Sequence, residues 1–181
     1  MVNKKEYMRK WHKDNPEYGK QWQKNNPGYM KEWYIANRER ILKYKKEYRK
    51  NNCEQIAKRR KIKRETDLKY NINNRMRAMI GKSLKGNKKG RHWEKLVGYN
   101  LKDLIKRLQK TIPKGFTWNN FLGGDLHIDH IIPISAFNFD SPKQIDFKRC
   151  WALKNLRLLP AKENRVKYNK LNKPFQPALK I

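Results

Sequence analysis

Apolar residues in the middle of the chain recur at three- and four-residue intervals, which is the spacing of one face of an α-helix. One such run predicts a helix over residues 67–84, and a second run, capped by Asn100, predicts a helix over residues 101–110. Residues 93–98, between these runs, are typical of a short turn or helix. We expect all three segments to be scaffold helices that brace a site further along the chain. The positions that carry the pattern are Ile72, Met76, Met79, Ile80, Leu84, Leu101, Leu104, Ile105 and Leu108.

The pattern changes in the last third of the chain, where β-branched residues favour strands. Residues 127–133 predict a strand that ends at Pro133, because proline cannot donate a hydrogen bond within a sheet. Successive side chains of a strand point to opposite faces. His127 and Asp129 are therefore expected on one face of this strand, and His130 on the other.

A second short strand is predicted over residues 155–160, followed by a helix over residues 161–170 with Pro160 in its first turn. Between the two strands, Ser141 is expected to cap a helix that runs to about Trp151. The predicted fold class is therefore α+β. It is a mostly helical chain with a small strand–strand–helix module near its C-terminus.

Residues 1–44 contain an aromatic repeat with a period of eleven residues. Asn is a good helix N-cap and Pro suits the first helical position, so the Asn-Pro pairs predict that each repeat is a helix of two turns. Its Tyr and Trp, four residues apart, would share one face. Segments that begin at Asn37 and Asn52 resemble each other at a spacing of fifteen residues. The repeating positions are Tyr7, Tyr18 and Tyr29, Trp11, Trp22 and Trp33, and Asn15-Pro16 and Asn26-Pro27.

Three interpretations of these repeats are open. An eleven-residue period is typical of long helices in a right-handed supercoil, but Pro16 and Pro27 argue against an uninterrupted helix. The aromatic stripe also fits packing against the rest of the protein. In the third interpretation the repeats form a DNA-tracking arm, in which Lys and Arg neutralise phosphates while Trp11, Trp22 and Trp33 pack on sugars or bases.

The chain is strongly basic. Its formal net charge is +30 and its isoelectric point is about 10.3; residues 1–66, with 21 Lys and Arg against 8 Asp and Glu, carry +13 of that charge. Polyanions neutralise such an excess, so nucleic acid is the expected partner, and both DNA and RNA stay open because they carry the same phosphates. A membrane is not expected, because no apolar stretch approaches about 18 residues and no secretory leader is present. We expect a cytoplasmic protein.

A basic run over residues 45–66 includes Arg59 and Arg60. Such runs are usually solvated helices or linkers, and on DNA they contact phosphates and position the protein. The end of this run is the predicted boundary between an arm, residues 1–66, and a second domain, residues 67–181.

The two cysteines, Cys53 and Cys150, are isolated, so no structural zinc site is expected. The core must therefore come from apolar and aromatic side chains, and a bound metal ion would add stability. Besides the strand residues, the expected core comprises Trp93, Leu96, Leu101, Leu104, Leu108, Phe116, Trp118, Phe121, Phe137, Phe147 and Trp151.

The segment from residue 93 to about residue 173 resembles the HNH endonucleases, whose catalytic module is a ββα-metal fold. The likeness is strongest to small free-standing HNH proteins of phages and bacteria. The distance of nine residues between the two asparagines of the motif is also that of the HNH domain in CRISPR effector nucleases. The residues that carry the resemblance are Asp129, His130, Pro133, Asn155 and Asn164.

The resemblance implies a role for each of these residues. Asp129 and Asn164 would ligate one Mg²⁺ or Mn²⁺, and His130 would be the general base that deprotonates the attacking water. Asn155 would hold the loop and orient the base. His127 shares the face of Asp129 and is expected to contact metal or phosphate. The expected phosphate clamps are Arg157, Arg165, Lys167 and Lys170.

The resemblance further implies a helical scaffold over residues 67–115 and a ββα-metal core over about residues 124–170. The expected function is that of a metal-dependent endonuclease of double-stranded DNA, of the homing type known from phages, in a bacterial or phage-infected cell. The alternatives are a restriction or defence nuclease, and a non-catalytic DNA-binding or packaging accessory protein. A monomer is expected to nick one strand, and double-strand cleavage would need a weak homodimer on DNA.

Overall fold

The computed structural model describes residues 3–171 and 174–178. Over these residues the chain is α+β: it is mostly helical and has one small antiparallel sheet of two strands. The chain divides into two compact units, residues 1–56 and residues 57–181. This division lies ten residues before the predicted boundary at residue 66. The predicted boundary separates a DNA-binding arm from a nuclease domain, and that functional division stays a prediction. No helix in the described part of the chain is long and apolar enough to cross a membrane.

The N-terminal part of the chain is a series of short helices. They are α1 (Lys4–Asp14), α2 (Tyr18–Asn25), α3 (Tyr29–Ala36), α4 (Arg38–Asn51) and α5 (Cys53–Thr66). The prediction that the repeats form short helices is confirmed, and the long supercoiled helix is excluded because α1, α2 and α3 are separate. None of the residues in α1–α5 is buried, so these helices have no core of their own.

The capping role predicted for the asparagines of the repeats is wrong. Asn15 and Asn26 end helices, and the next helix begins three residues after each of them. Each asparagine Nδ2 donates a hydrogen bond to the carbonyl oxygen four residues earlier, at 2.9 Å to Trp11 and at 2.8 Å to Trp22. Each asparagine therefore closes the helix before it, and the proline that follows lies between this end and the next helix.

Neighbouring repeats contact one another through aromatic rings. Trp11 packs edge-to-face on Tyr18 and Trp22 on Tyr29, with ring centroids 4.9 Å apart in both pairs. Trp11 and Trp22 therefore each contact the Tyr seven residues further along, in the next repeat. Since the two joints have the same geometry, the repeats are stabilised by their nearest neighbours, as in other repeat proteins.

The second unit contains three helices at the predicted positions: α6 (Leu68–Ser83), α7 (Trp93–Val97) and α8 (Leu101–Gln109). Asp67 caps α6 by accepting a hydrogen bond from the Tyr70 backbone N–H at 2.9 Å. Asn100 caps α8 in a reciprocal pair with Asp103. The predictions for α6 and α8 are confirmed to within one residue at each end.

A short helix that the sequence pattern did not predict, α9 (Trp118–Gly123), leads into the first strand. Thr117 and Asn120 form its capping box, in which the Thr117 backbone N–H donates to Asn120 Oδ1 at 2.9 Å. Gly124 then turns the chain with a φ of 96°, a conformation that favours glycine. The signal was easy to miss, because capping boxes usually carry Glu or Gln where this one has Asn.

The sheet brings the ends of the motif together. β1 (Leu126–His130) pairs antiparallel with β2 (Leu156–Pro160), and Asp129 lies opposite Arg157. α11 (Ala161–Lys167) follows β2 directly and packs on both strands. The predicted order of strand, strand and helix is confirmed. β1 ends at His130, three residues before the predicted end at Pro133, and α11 also ends three residues earlier than expected.

The helix between the strands, α10 (Ile145–Cys150), begins later than predicted. Ser141 and Pro142 belong to a turn, and Gln144 is the N-cap. The Gln144 side chain accepts hydrogen bonds from the backbone N–H groups of Asp140 and Ser141, at 2.8 and 3.0 Å. These bonds close the turn, and the helix starts only after Gln144.

One hydrophobic core supports the sheet, and the aromatic and leucine residues predicted for it all lie in the core or pack against it. Of the strand residues expected there, Ile128 is in the core, whereas Ile131 is 42% exposed because β1 ends at His130. Two polar side chains fix the core to the backbone next to the site. The Tyr99 hydroxyl donates to the Trp151 carbonyl oxygen at 2.8 Å. Arg107 Nε donates to the carbonyl oxygens of Leu153 and Leu156, both at 3.0 Å, which holds the start of β2 against α8.

Candidate functional site

Asp129 is the centre of a buried charge cluster on β1. Its side chain is only 7% exposed, and Arg157 Nε donates to its Oδ2 at 2.9 Å. Lys167 Nζ donates to both carboxylate oxygens, at 2.7 and 3.0 Å, and also to the His130 carbonyl oxygen. Two cations therefore balance a carboxylate whose burial alone would be costly.

Asn164 and His127 lie together beside this cluster. Asn164 Nδ2 is 3.1 Å from His127 Nδ1, and α11 supplies Asn164 just as it supplies Lys167. His127 and Asp129 are two residues apart on β1, so they share a face of the strand. The structure therefore pairs Asn164 with His127, and it pairs Arg157 and Lys167 with Asp129 on the same face of β1. The sequence prediction had joined Asp129 with Asn164 and had placed His127 on the face of Asp129, but it had not paired Asp129 with the two cations.

Arg75, on α6, is a neighbour of the site that the sequence prediction missed. Its guanidinium lies 4.4 Å from the centroid of the Phe121 ring and its Nη2 donates to the Phe121 carbonyl oxygen at 3.4 Å. The pKa of His127 is lowered, first by burial and then by the positive charges of Arg75 and Arg165. Arg75 is one of four Lys or Arg residues in α6, and charge alone does not distinguish it from a solvated residue.

His130, the predicted base, lies on the opposite face of β1 from Asp129. Its ring packs edge-to-face on Trp151 with centroids 4.6 Å apart, and the residue is only 5% exposed. Burial lowers the pKa of His130 to about 4; the Asp129 carboxylate opposes this shift and the Lys167 charge adds to it. The imidazole is therefore neutral at pH 7. Among the described residues, its buried Nε2 has no hydrogen-bond partner.

Asn155 holds the loop that follows His130. Its Oδ1 accepts a hydrogen bond from the Ile132 N–H at 2.8 Å, and its Nδ2 donates to the carbonyl oxygens of Ile132 and Cys150, at 3.1 and 2.8 Å. The Asn155 carbonyl oxygen also accepts from the Ile131 N–H at 2.8 Å. These four bonds fix the backbone next to His130, which is the place where the resemblance requires a positioning residue.

A groove of about 460 Å³ lies along β2 and α11. Three of the predicted phosphate clamps, Arg157, Lys167 and Lys170, line this groove. Lys162 is a fourth cation of the groove that the sequence prediction missed. Glu163 is the single carboxylate among the described residues of the lining, so the groove favours an anion.

The other predicted contacts to nucleic acid lie on the N-terminal helices. Trp11 and Trp22 are half-buried by the neighbouring tyrosines, whereas Trp33 is 40% exposed. Arg59 and Arg60 are exposed on α5. Contacts of these five residues with DNA stay predictions.

The donor set at Asp129 fits a hard divalent cation. The Asp129 carboxylate and the amide oxygen of Asn164, with His127 alongside, are of the kind that Mg²⁺ or Mn²⁺ takes while it keeps several water ligands. The attraction of Lys167 and Arg157 to the same carboxylate shows that this position already stabilises positive charge. No group of three or more His, Cys, Asp or Glu side chains is placed to hold a metal in the described part of the chain. A cation here would therefore rely on the Asn164 oxygen, on water and on substrate phosphate.

Comparison with known proteins gives a distant relative. The chain is similar to the uncharacterized protein L426 of Acanthamoeba polyphaga mimivirus, with 27% identity over 128 residues. The alignment covers 71% of this chain and 55% of the viral protein, so the chain spans about half the length of that relative. No protein-family profile matches the chain, and no solved structure is similar to it. The activity therefore has to be argued from the site.

Proposed function

We propose that this protein is a metal-dependent DNA endonuclease of the HNH type. The observation that carries the proposal is the meeting of His127, Asp129 and Asn164 on one face of a two-stranded antiparallel ribbon that α11 closes. His130 follows directly in sequence. A ββα-metal module requires this order of elements and this combination of side chains.

In this proposal His130 takes a proton from the water that attacks phosphorus. Its depressed pKa keeps the imidazole neutral and able to accept that proton at pH 7. Its unpartnered Nε2 is an unusual feature, since buried polar atoms nearly always have hydrogen-bond partners. Asn155 holds the loop after His130, so we assign it a positioning role.

Asp129 and Asn164 would hold the divalent cation. When bound, the cation supplies positive charge next to the phosphate and the departing 3′ oxygen. In the structure Lys167 and Arg157 form ion pairs with the Asp129 carboxylate. Both side chains line the adjoining groove, where they would bind phosphate oxygens once a cation takes their place at Asp129. The P–O3′ bond breaks as the new P–O bond forms, which leaves a 5′ phosphate and a 3′ hydroxyl.

The substrate class follows from the charge. A net charge of +30 and a basic groove beside Asp129 favour a polyanion that extends beyond the site. Double-stranded DNA is the proposed substrate, and one site per chain would nick one strand. A homing role would show as a long asymmetric target, whereas a restriction or defence role would show as a short one.

A second candidate function is a DNA-binding or packaging accessory protein that does not cut. Two observations favour it: Asp129 is already neutralised by Lys167 and Arg157, and His130 is buried against Trp151. Binding would use the same basic groove. The two candidates differ only in whether the site hydrolyses phosphodiester bonds.

The test is the conversion of supercoiled plasmid to nicked circle with Mg²⁺, Mn²⁺ or EDTA. We expect nicking with either metal and none with EDTA, and we expect His130→Ala to lower the rate by about 10²–10⁴-fold. His92→Ala is the matched control, because His92 is exposed and lies outside the site. Metal-independent binding without nicking, on plasmid and on phage DNA, would establish the accessory function instead.

A further inference from the structure

A cavity of about 290 Å³ opens beside the loop that follows His130, apart from the groove on α11. Asn155, which makes four hydrogen bonds to this loop and to Cys150, forms part of its wall. The cavity therefore has a fixed floor next to the proposed base. The other lining residues are Ile131, Ile132, Phe137, Arg149, Lys154 and Phe175.

The cavity walls present aromatic rings. Phe137 and Phe175 meet edge-to-face, with ring centroids 4.7 Å apart at an interplanar angle of 63°. The Arg149 guanidinium lies 4.9 Å from the centroid of the Phe175 ring. Aromatic rings together with an arginine plane are the surfaces on which proteins stack unpaired bases.

The C-terminal wall is held in place by a buried carboxylate. Asp146 is 1% exposed; its Oδ1 accepts from Arg149 Nη1 at 3.2 Å and its Oδ2 accepts from the Ala178 N–H at 2.9 Å. The same Oδ2 accepts from the Asn138 N–H at 3.0 Å. Asp146 thus ties the segment that carries Phe175 to α10, so the cavity is a built feature of the fold.

The charge of the cavity selects an anion. Arg149 and Lys154 are both exposed cations, and the described lining contains no carboxylate. Ile131 is 42% exposed and adds an apolar surface at the mouth. A ligand with a flat apolar part and a negative charge satisfies both features, and the volume is near the lower limit of about 300 Å³ for small-molecule sites.

We propose that this cavity receives one nucleotide of the DNA substrate, unstacked from its neighbours, beside the bond to be cut. The inference rests on the proposed nuclease function. Ile131 is two residues from Asp129, so their Cα atoms lie at most about 7 Å apart, while successive nucleotides of a duplex are about 3.4 Å apart. A base from a nucleotide next to the scissile phosphate therefore reaches the cavity. Such a pocket reads its base, and it favours sites where unpairing costs little.

The first experiment measures nucleotide binding by the full chain. Deoxyadenosine 5′-monophosphate, inorganic phosphate and deoxyadenosine are each titrated in EDTA against protein with labelled isoleucine methyl groups. We expect the nucleotide to shift the Ile131 signal and to bind at least tenfold more tightly than either part alone. Ile131→Trp, which fills the mouth, should weaken nucleotide binding at least tenfold. Ile145→Trp is the matched control, because Ile145 is exposed on α10 and outside the lining.

Three results would overturn the inference. The first is equal binding of nucleotide and inorganic phosphate, and the second is nucleotide binding that Ile131→Trp leaves unchanged. The third is displacement of a cavity-bound apolar dye by an apolar peptide but not by nucleotide, which would assign the cavity to a protein partner.

A plasmid assay separates this inference from the nuclease proposal. If wild type nicks DNA, and Ile131→Trp nicks both mismatched and matched substrates as fast as wild type does, the nucleotide site falls and the nuclease stands. If nucleotide binding depends on Ile131 but wild type nicks no substrate, the binding site stands and the nuclease falls.

Discussion

The repeats and the second unit are stabilised differently, and one tryptophan in each, Trp22 and Trp151, shows how. Trp22 packs on Tyr29 of the next repeat, and no residue in α1–α5 is buried. Trp151 is fully buried in a core that packs against both strands of the sheet, and its ring contacts His130. The repeats therefore depend on joints between neighbours, whereas the second unit depends on burial of apolar surface.

We propose that the repeats supply affinity for a polyanion and that the second unit supplies the chemistry. The repeats leave aromatic and basic side chains exposed, where a polyanion can reach them. The second unit places Asp129, Asn164 and His130 through contacts that are distant in sequence. We therefore expect changes in the repeats to alter binding, and changes in the second unit to alter stability and catalysis.

The largest expected effect is on stability. Leu104 is fully buried, so Leu104→Ala should lower the free energy of unfolding by about 2–5 kcal/mol. Leu42, which is 50% exposed on α4, is the matched control, and Leu42→Ala should change the free energy of unfolding by less than about 0.5 kcal/mol. Urea denaturation followed by near-UV circular dichroism measures both. Equal effects would contradict the contrast between the two regions.

His130 should make stability depend on pH. Its pKa is about 4 in the folded chain and about 6.5 when unfolded, so the unfolded state takes up the proton first as the pH falls. The free energy of unfolding should therefore be highest above pH 6.5 and fall by up to about 3 kcal/mol between pH 6.5 and 4. Denaturation in EDTA should show this loss for wild type and His92→Gln, and a much smaller loss for His130→Gln. An unchanged pH dependence in His130→Gln would contradict the burial of a neutral imidazole.

Deletion of residues 1–44 should weaken DNA binding by about a hundredfold at low salt. The deleted segment carries eleven Lys and Arg. If about four of them bind phosphates, the slope of log affinity against log salt should become shallower by about 3 to 4. The near-UV spectrum of the core aromatics serves as the control for folding. Identical binding across a salt titration would instead favour the interpretation in which the aromatic stripe packs on protein.

Lys167→Met should raise the affinity of the free protein for Mn²⁺ by about tenfold, which is about 1.4 kcal/mol. The reason is that Lys167 Nζ now contacts both Asp129 oxygens, at 2.7 and 3.0 Å, and competes for them. Lys170→Met is the control, because Lys170 lines the same groove. Titration by electron paramagnetic resonance without DNA gives the affinity. Equal Mn²⁺ affinities for wild type and both variants would show that Lys167 does not compete with the metal ion for the Asp129 carboxylate.

The smallest expected effect concerns a single joint of the repeats. Asn26→Ala removes the hydrogen bond from its amide to the Trp22 carbonyl, at 2.8 Å, and should cost about 1 kcal/mol of local helix stability. Asn25→Ala, one residue earlier and exposed, should be neutral or slightly stabilising, because alanine favours helix. Far-UV circular dichroism of the full chain during a thermal scan compares them. A greater loss in Asn25→Ala would contradict the capping role of Asn26.

Local signals in the sequence were sufficient for elements whose ends are set by neighbouring residues. The first residues of α6 and α8 follow from Asp67 and Asn100, whose side chains cap the first turn of each helix. The same approach failed at Asn15 and Asn26, whose side chains donate to the carbonyl oxygen four residues earlier and close the preceding helix. Asparagine is found at both ends of helices, so its capping preference alone does not decide which end it occupies.

The residues of the candidate site were predictable from the sequence, but the contacts between their side chains were not. The resemblance to HNH endonucleases pointed to Asp129, His130 and Asn164. The pairing of Asp129 with Lys167 and Arg157, and the approach of Arg75 to His127, arise from contacts between separate elements. Such contacts depend on how the elements pack, which a one-dimensional pattern does not contain.

The most direct test of the central claim is the chemistry of the nick. Supercoiled plasmid is incubated with the full chain and Mg²⁺, and the nicked circles are purified and treated with DNA ligase. Hydrolysis with His130 as base and the 3′ oxygen as leaving group predicts metal-dependent nicks with a 5′ phosphate and a 3′ hydroxyl, which ligase reseals. Nicks that ligase cannot reseal, or the absence of nicks with Mg²⁺ and Mn²⁺ on every DNA tested, would contradict the account.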